Sequence, residues 1–339
     1  MILCAAAMER RRLGLARKPL IVVPNHMLGQ FSAEFLALYP GANILVATKD
    51  DFEKTRRKTL MSRIATGNWD AVIVTHSGFE KIPVSRATQE EFFKEQLREL
   101  ALAIEQQRQD GDSRIVKALE RAKKQLETKL KELAANDKKD DGLTFEELGV
   151  DFVAVDEAHA HKNLFYVSKM TRIAGLPQTA SQRAFDMFLK VQHVQRVNGG
   201  GGVVFATGTP IANSMAEMFT MQRFLQMATL KAQNVAHFDA WAATFGEPVT
   251  AMELAPDGSG YRINTRFARY INVPELMQIF RQVADIQTQA MLKLPVPDLR
   301  GGKPIVISAP CSPELKQIVA SLVDRAEAAG CPVLMMTVD

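Results

Sequence analysis

Cysteine is scarce in this chain: Cys4, Cys311 and Cys331 stand far apart and form no C-x-x-C pair. That argues against a disulfide framework or a zinc ribbon and suits a reducing compartment. Long apolar runs are missing as well, and none approaches membrane-spanning length. The opening MILCAAAMERRR carries its arginines after the apolar stretch, the reverse of a signal peptide, so the cytoplasm is the expected location. Aromatic residues make up only 7%, and few interleave the basic clusters, so base stacking is not indicated. A strong charge of one sign is lacking too. The net charge of +4 and pI near 8.9 permit a polyanionic partner without demanding one.

What is present is an ordinary globular composition, 47% hydrophobic and 24% charged, in 339 residues, long enough for two domains. Short runs rich in β-branched residues occur at 20–24 (LIVVP), 43–48 (NILVAT), 70–76 (DAVIVTH), 151–156 (DFVAVD) and 202–207 (GVVFAT). Each is nearly all apolar, as strands buried on both faces of a parallel sheet must be. Helical patterns at 27–38, 51–66 and 181–197 lie between them, which predicts a right-handed, wound α/β sheet. Ligands of such sheets sit beyond the carboxyl ends of the strands. Pro24-Asn25-His26, Thr75-His76, Asp156 to His159 and Thr207 to Pro210 all fall there and would line one rim.

Residues 86–141 differ in character. Leu119, Leu126 and Leu133 repeat at heptad spacing, with Ile115, Ala122 and Leu130 on the same side, and Asp110-Gly111-Asp112 separates them from Leu97, Leu100 and Ile104. This predicts a helical hairpin with a coiled-coil seam and a solvated Lys/Glu-rich outside. After 230 the pattern is helical and irregular, with a surface loop at 255–260 and a proline- and glycine-rich linker at 293–304. A strand at 304–309 and a helix from Pro313 to Ala329 follow.

The chemistry centres on Asp156-Glu157-Ala158-His159. A nucleotide hydrolase needs Mg²⁺ to neutralise phosphates and a carboxylate to orient or deprotonate water. Asp156 would hold Mg²⁺ through water, Glu157 would be the general base, and His159 would link the site to its neighbours. Alternatively, Asp156 caps a helix with Glu157 in its first turn. A third reading makes His159 and His161 a metal pair with Asp156, but His193 and His237 are isolated and no cluster completes the set. Thr207-Gly208-Thr209-Pro210, at the end of the last strand, could sense a γ-phosphate or relay its loss; a plain helix-starting turn is the alternative. D-E-A-H and T-G-T-P about fifty residues apart form a more specific pair than either alone.

Together DEAH, the following KN and TGTPIANS resemble the first motor lobe of superfamily-two helicases, nearest to the Swi/Snf-type DNA translocases. RRLGLARKPLIVVPNHML, HSGFEKIP and FEELGVDFVAVDEAHAHKNL are similar to the helicase part of methyltransferase–helicase fusion proteins of phages and plasmids. The resemblance implies a RecA-like lobe over 1–85 and 142–230, the helical insertion at 86–141, a helical extension and linker at 231–303, and the start of a second lobe at 304–339. It implies ATP and Mg²⁺ as cofactors, and movement on DNA, of duplex form and without sequence preference. Pro24, Asn25, His26, Thr75, His76 and Ser77 would contact the DNA backbone. Arg10, Arg11, Arg12, Arg17 and Lys18, like Lys54, Arg56, Arg57 and Lys58, read as solvated helix faces or a binding patch. An attached methyltransferase domain is a further expectation.

No G-x-x-x-x-G-K-[ST] occurs in the sequence: NGGGG at 198–202 lacks lysine, and GGK at 301–303 runs into Pro304. In the resembled family the phosphate loop precedes the helix that here is MILCAAAMERRRLGL, so it is expected just upstream of Met1. The 339 residues alone are expected to bind ATP weakly and hydrolyse it negligibly. A non-catalytic DNA-binding or scaffold module derived from a helicase is the alternative.

Overall fold

The structure is a computed structural model that describes residues 1–110, 113–135, 142–166, 168, 170, 181–212, 214–254, 261–292 and 312–328. The expected loop at 255–260, linker at 293–304, strand at 304–309, Asn213, Cys311, Cys331 and the side chains of Ile115, Ala122 and Leu133 lie outside them.

The chain begins with α1 (Ile2–Arg12), β1 (Pro19–Val23), α2 (Leu28–Leu38), β2 (Ile44–Val46), α3 (Arg57–Thr66), β3 (Ala71–Thr75) and a single helical turn, α4 (His76–Phe79). The helical hairpin α5 (Arg86–Asp110) and α6 (Ser113–Ala135) precedes β4 (Phe152–Val155), α7 (Gln182–Val197) and β5 (Val203–Phe205). Beyond these come α8 (Ala216–Ala232), α9 (Phe238–Phe245), β6 (Gly246–Leu254), β7 (Tyr261–Tyr270), α10 (Val273–Phe280), α11 (Gln289–Leu292) and α12 (Pro313–Ala328).

Strands β1 to β5 form one parallel sheet in the order β2-β3-β1-β4-β5. This is the α/β, RecA-like architecture expected from the sequence. Alternate residues of each strand face opposite sides of a sheet, and here both sides are apolar. Leu20, Val22, Val72, Val74, Val153 and Val155 join one core with Leu60 and Ile64 of α3 and Met187 and Val191 of α7. Ile21, Val23, Ile73, Phe152 and Ala154 join the other with Leu3 and Ala7 of α1 and Phe31 and Phe35 of α2. Polar ties hold the amino ends of the strands. The Asp151 carboxylate accepts from the amides of Arg17 and Lys18 at 2.7 and 2.8 Å, joining the starts of β1 and β4. Gly202 turns the chain into β5 at φ +87°, where an added Cβ would sit 2.7 Å from Asn198 Nδ2.

Two expectations are corrected. The helix read over 51–66 starts at Arg57; before it, Asp51 accepts from the Thr48 amide and hydroxyl and holds a separate turn over Asp50–Phe52. After 230 the chain is not helical throughout, because β6 and β7 pair as an antiparallel ribbon from Gly246↔Tyr270 to Leu254↔Tyr261. Its base is anchored by Phe267 among Phe238, Trp241 and Phe245.

The expected hairpin is present. Leu100, Ile104, Leu119 and Leu126 are buried together, and Phe92 and Phe93 of α5 dock on Phe185 of α7 with ring centroids 5.0 and 5.3 Å apart.

Candidate functional site at the carboxyl rim of the sheet

A parallel sheet brings the carboxyl ends of its strands to one rim, and β4 lies between β1 and β5 there. The Asp156 amide donates to the Val22 carbonyl at 2.8 Å, and the Ala158 amide to the Ala206 carbonyl at 3.0 Å. The acidic segment is thus held from both sides. Between these ties Glu157 adopts the left-handed conformation, φ 50° and ψ 47°. A non-glycine residue does so at a cost of about 1–2 kcal/mol. The conformation turns the chain out of the strand into a short turn over Ala158–His161. It also brings the Glu157 amide to Asp156 Oδ1 at 3.0 Å, leaving Glu157 exposed at the rim beside a half-buried Asp156. This arrangement replaces the helix-cap reading, since Asp156 caps the peptide that follows it.

His159 connects the two motifs. Its Nδ1 lies 3.0 Å from Glu157 Oε2 and 3.0 Å from Thr207 Oγ1. A bare nitrogen would face the carboxylate lone pairs, so hydrogen on Nδ1 suits both neighbours; its hydrogen bond goes to the Thr207 hydroxyl, and the Glu157 carboxylate lies alongside within ion-pair distance. Thr207 Oγ1 also accepts from the Thr209 amide at 3.1 Å, fixing the turn around the exposed Gly208. Glu157, His159, Thr207 and Thr209 therefore form one connected constellation on two neighbouring strand ends.

The other expected contact residues divide. Pro24 is half-buried and Asn25 and His26 are exposed; Asn25 Oδ1 accepts from Ser77 Oγ at 3.0 Å, bridging the ends of β1 and β3. Thr75 and His76, expected among the DNA-contact residues, have side chains turned inward and only 6% and 5% exposed. Thr75 Oγ1 caps the following turn by accepting from the Gly78 amide. His76 Nε2 lies 2.9 Å from the Asp156 carbonyl, and its Nδ1 lies 3.1 Å from His161 Nε2. The two rings stack with centroids 5.2 Å apart. Burial holds the His76 pKa below the usual range, while burial and the neighbouring His76 push that of His161 down to about 3.

His161 is thus committed to His76 and does not pair with His159 on a metal. Among the described residues no group of three His, Cys, Asp or Glu could hold one. Mg²⁺ asks for less: one or two carboxylates, with water and phosphate oxygens completing the shell. Asp156 suits it, with Oδ1 fixed by the Glu157 amide on the half-buried strand end.

Much of the first basic cluster is structural. Arg11 binds Asp70 at 2.6 Å, Asn68 and the Arg17 carbonyl. Arg12 binds Glu9, Arg10 lies over the Phe152 ring, and Lys18 Nζ donates to the carbonyls of Ala65 and Leu148.

Sequence reasoning missed several supports. Lys162 pairs with Glu217 of α8 at 3.1 Å, and Glu217 also accepts from the Ala212 amide at 2.6 Å, tying the segments after both motifs together. Lys190 of α7 is fully buried, bonding Asp186 and the Phe79 carbonyl, both at 2.6 Å. Beside it Arg183 pairs with Glu80. An apolar helix face interrupted by Asp186 and Lys190, one turn apart, was the available signal for that pair.

Over 278 residues the chain is 26% identical to "Defense against restriction protein B" of Escherichia phage P1. The match takes in 80% of the chain but 12% of that protein, so the chain corresponds to a small part of the relative. A family model described as a probable helicase domain matches residues 1–288, and the chain belongs to that family.

Proposed function

We propose that this chain is the carboxylate-bearing lobe of an ATP-driven motor that moves on duplex DNA. The observation that carries the reading is the position of His159 Nδ1, 3.0 Å from both Glu157 Oε2 and Thr207 Oγ1. It joins the exposed Glu157 carboxylate to the hydroxyl-bearing turn of the next strand. In this reading Glu157 releases His159 and accepts a proton from the attacking water, and the loss of that contact is felt at Thr207 and Thr209. Asp156 would hold Mg²⁺, which when bound supplies charge neutralisation to the phosphates. Membership of a helicase family supports nucleic acid as the partner. Asn25, His26 and Ser77 are the side chains available at the rim of β1 and β3 for phosphate contacts, which would be independent of sequence and steeply salt-dependent.

The sequence contains no G-x-x-x-x-G-K-[ST]. Among the described residues β5 pairs only with β4, and in this reading a further parallel strand would pair with its outer edge. A phosphate loop on such a strand would end at the same rim as Asp156 and Thr207. The stepping motion and an attached methyltransferase rest on the family resemblance.

The test is DNA-stimulated phosphate release from a protein that joins this segment to a phosphate loop. Glu157→Gln should lower turnover by at least about 100-fold while leaving ATP affinity within a few-fold. The 339 residues alone should release negligible phosphate. Unaltered turnover in Glu157→Gln would remove Glu157 as the base, and absence of DNA-stimulated turnover in the joined wild type would leave the non-catalytic scaffold as the surviving reading.

A further inference from the structure

We propose that His76 is a positioning residue: through its bond to the Asp156 carbonyl it carries the state of the nucleic-acid-facing segment to the peptide that sets Glu157. The inference rests on the motor reading above and adds to it the physical connection between the two sites.

The chemistry of the two rings fixes their protons. His76 Nε2 faces a carbonyl oxygen, which only accepts, so Nε2 carries hydrogen. In the neutral ring Nδ1 is then a lone pair, and His161 Nε2 must donate to it across 3.1 Å. His161 Nδ1 is left as a buried lone pair with no hydrogen-bond partner among the described residues. The result is a one-way chain, from the His161 N–H to His76 and from the His76 N–H to the Asp156 carbonyl, with no slack for either ring to flip alone.

The receiving carbonyl belongs to the peptide that joins Asp156 to Glu157. The orientation of that peptide determines whether Glu157 stays at φ 50° or relaxes to ordinary backbone. His76 stabilises the strained orientation from the carbonyl side, while Asp156 Oδ1 stabilises the Glu157 amide. At its other end His76 is the first residue of the turn containing Ser77, which binds Asn25 at the rim. A shift of that turn cannot occur without moving the His76 ring. Phosphate contacts at Asn25 and Ser77 are thereby tied to the backbone that aims Glu157. His76 itself touches neither ligand, being sealed beneath the rim.

The experiment is hydrogen exchange of the full chain, read over 156–163, with and without a saturating duplex oligonucleotide for each variant. Binding itself is measured separately by fluorescence anisotropy. In the wild type, duplex should slow exchange of these amides by at least about fivefold, the lower end of ordinary site-to-site coupling. His76→Gln, whose amide nitrogen reaches about as far as Nε2, should keep that protection. His76→Phe, which fills the space without a donor, should lose it. Protection retained in His76→Phe overturns the inference, as does a wild type that binds duplex with no change over 156–163. A wild type that fails to bind duplex by anisotropy refutes the motor reading itself, and the inference with it. Should His76→Phe fail to fold, the ring tautomers of the wild type decide by ¹⁵N–¹H correlation at neutral pH. Both rings must be protonated at Nε2, and hydrogen at His76 Nδ1 instead refutes the connection.

Discussion

Replacing Lys190 by methionine tests how the rim is braced from below. Its ammonium has three protons and three acceptors: Asp186 Oδ2 and the Phe79 carbonyl at 2.6 Å, and the Phe79 ring face with its centroid 4.2 Å away. The side chain is 0% exposed and that of Asp186 is 19% exposed. Burial lowers the Lys190 pKa and raises that of Asp186, so for each partner desolvation outweighs the attraction between them. Such a pair adds little net stability, yet removing one member leaves a costly orphan. Asp186→Leu leaves a buried ammonium with no access to water and should cost about 3–5 kcal/mol. Lys190→Met leaves a carboxyl that reaches solvent and can take up a proton, so it should cost less, about 2–3 kcal/mol. The double variant removes both charges but deprives the Phe79 carbonyl of its donor. It should fall within about 1–2 kcal/mol of the wild type, a positive coupling visible in a double-mutant cycle. Urea unfolding at pH 7, followed by far-UV circular dichroism, measures all four proteins. Additive losses in the double variant, or Lys190→Met as harmful as Asp186→Leu, would refute this account of the pair.

Other perturbations follow from single features. Gly202→Ala puts a Cβ 2.7 Å from Asn198 Nδ2 and 2.9 Å from Val194 at φ +87°, and should destabilise by about 2–3 kcal/mol in the same assay. His161 has its pKa held near 3, below the ordinary 6.5, so the folded protein binds fewer protons than the unfolded chain between those values. Its contribution is full above pH 6.5 and declines as pH falls toward 3, by up to about 1.4 kcal/mol per unit, with His76 adding in the same direction. Urea titrations at pH 7 and pH 5 check the sign, and greater stability at pH 5 would contradict it. Asn25→Ala should weaken duplex binding about equally for unrelated sequences, measured by anisotropy; loss for one sequence only would contradict a backbone contact.

The sheet was legible because its strands are buried on both faces: runs such as LIVVP and DFVAVD have no polar side to hide. The hairpin was legible from its leucine spacing. The ribbon at 246–270 was misread although VTAMEL and YRINTRF flank a turn-forming PDGSG. The helical segments before and after it dominated the pattern, and tertiary anchoring through Phe267 decides its state. At the site, motif order located Asp156, Glu157 and Thr207, but no periodicity reveals that His76 points inward. That depends on where α4 begins, one residue past the strand. The ties from Lys162 to Glu217 and from His76 to Asp156 span 55 and 80 residues of sequence, and only the folded sheet shortens them.

Among the described residues only β4 pairs with β5, and the outer side of β5 has a practical consequence for handling the protein. Val203 and Phe205 direct their amides and carbonyls away from β4, toward any extended chain that arrives first. In a concentrated preparation that chain would be another molecule's equivalent strand or a misplaced terminus. Yield and monodispersity of the 339 residues should therefore worsen with concentration, and a lysine or proline introduced on that flank should improve both.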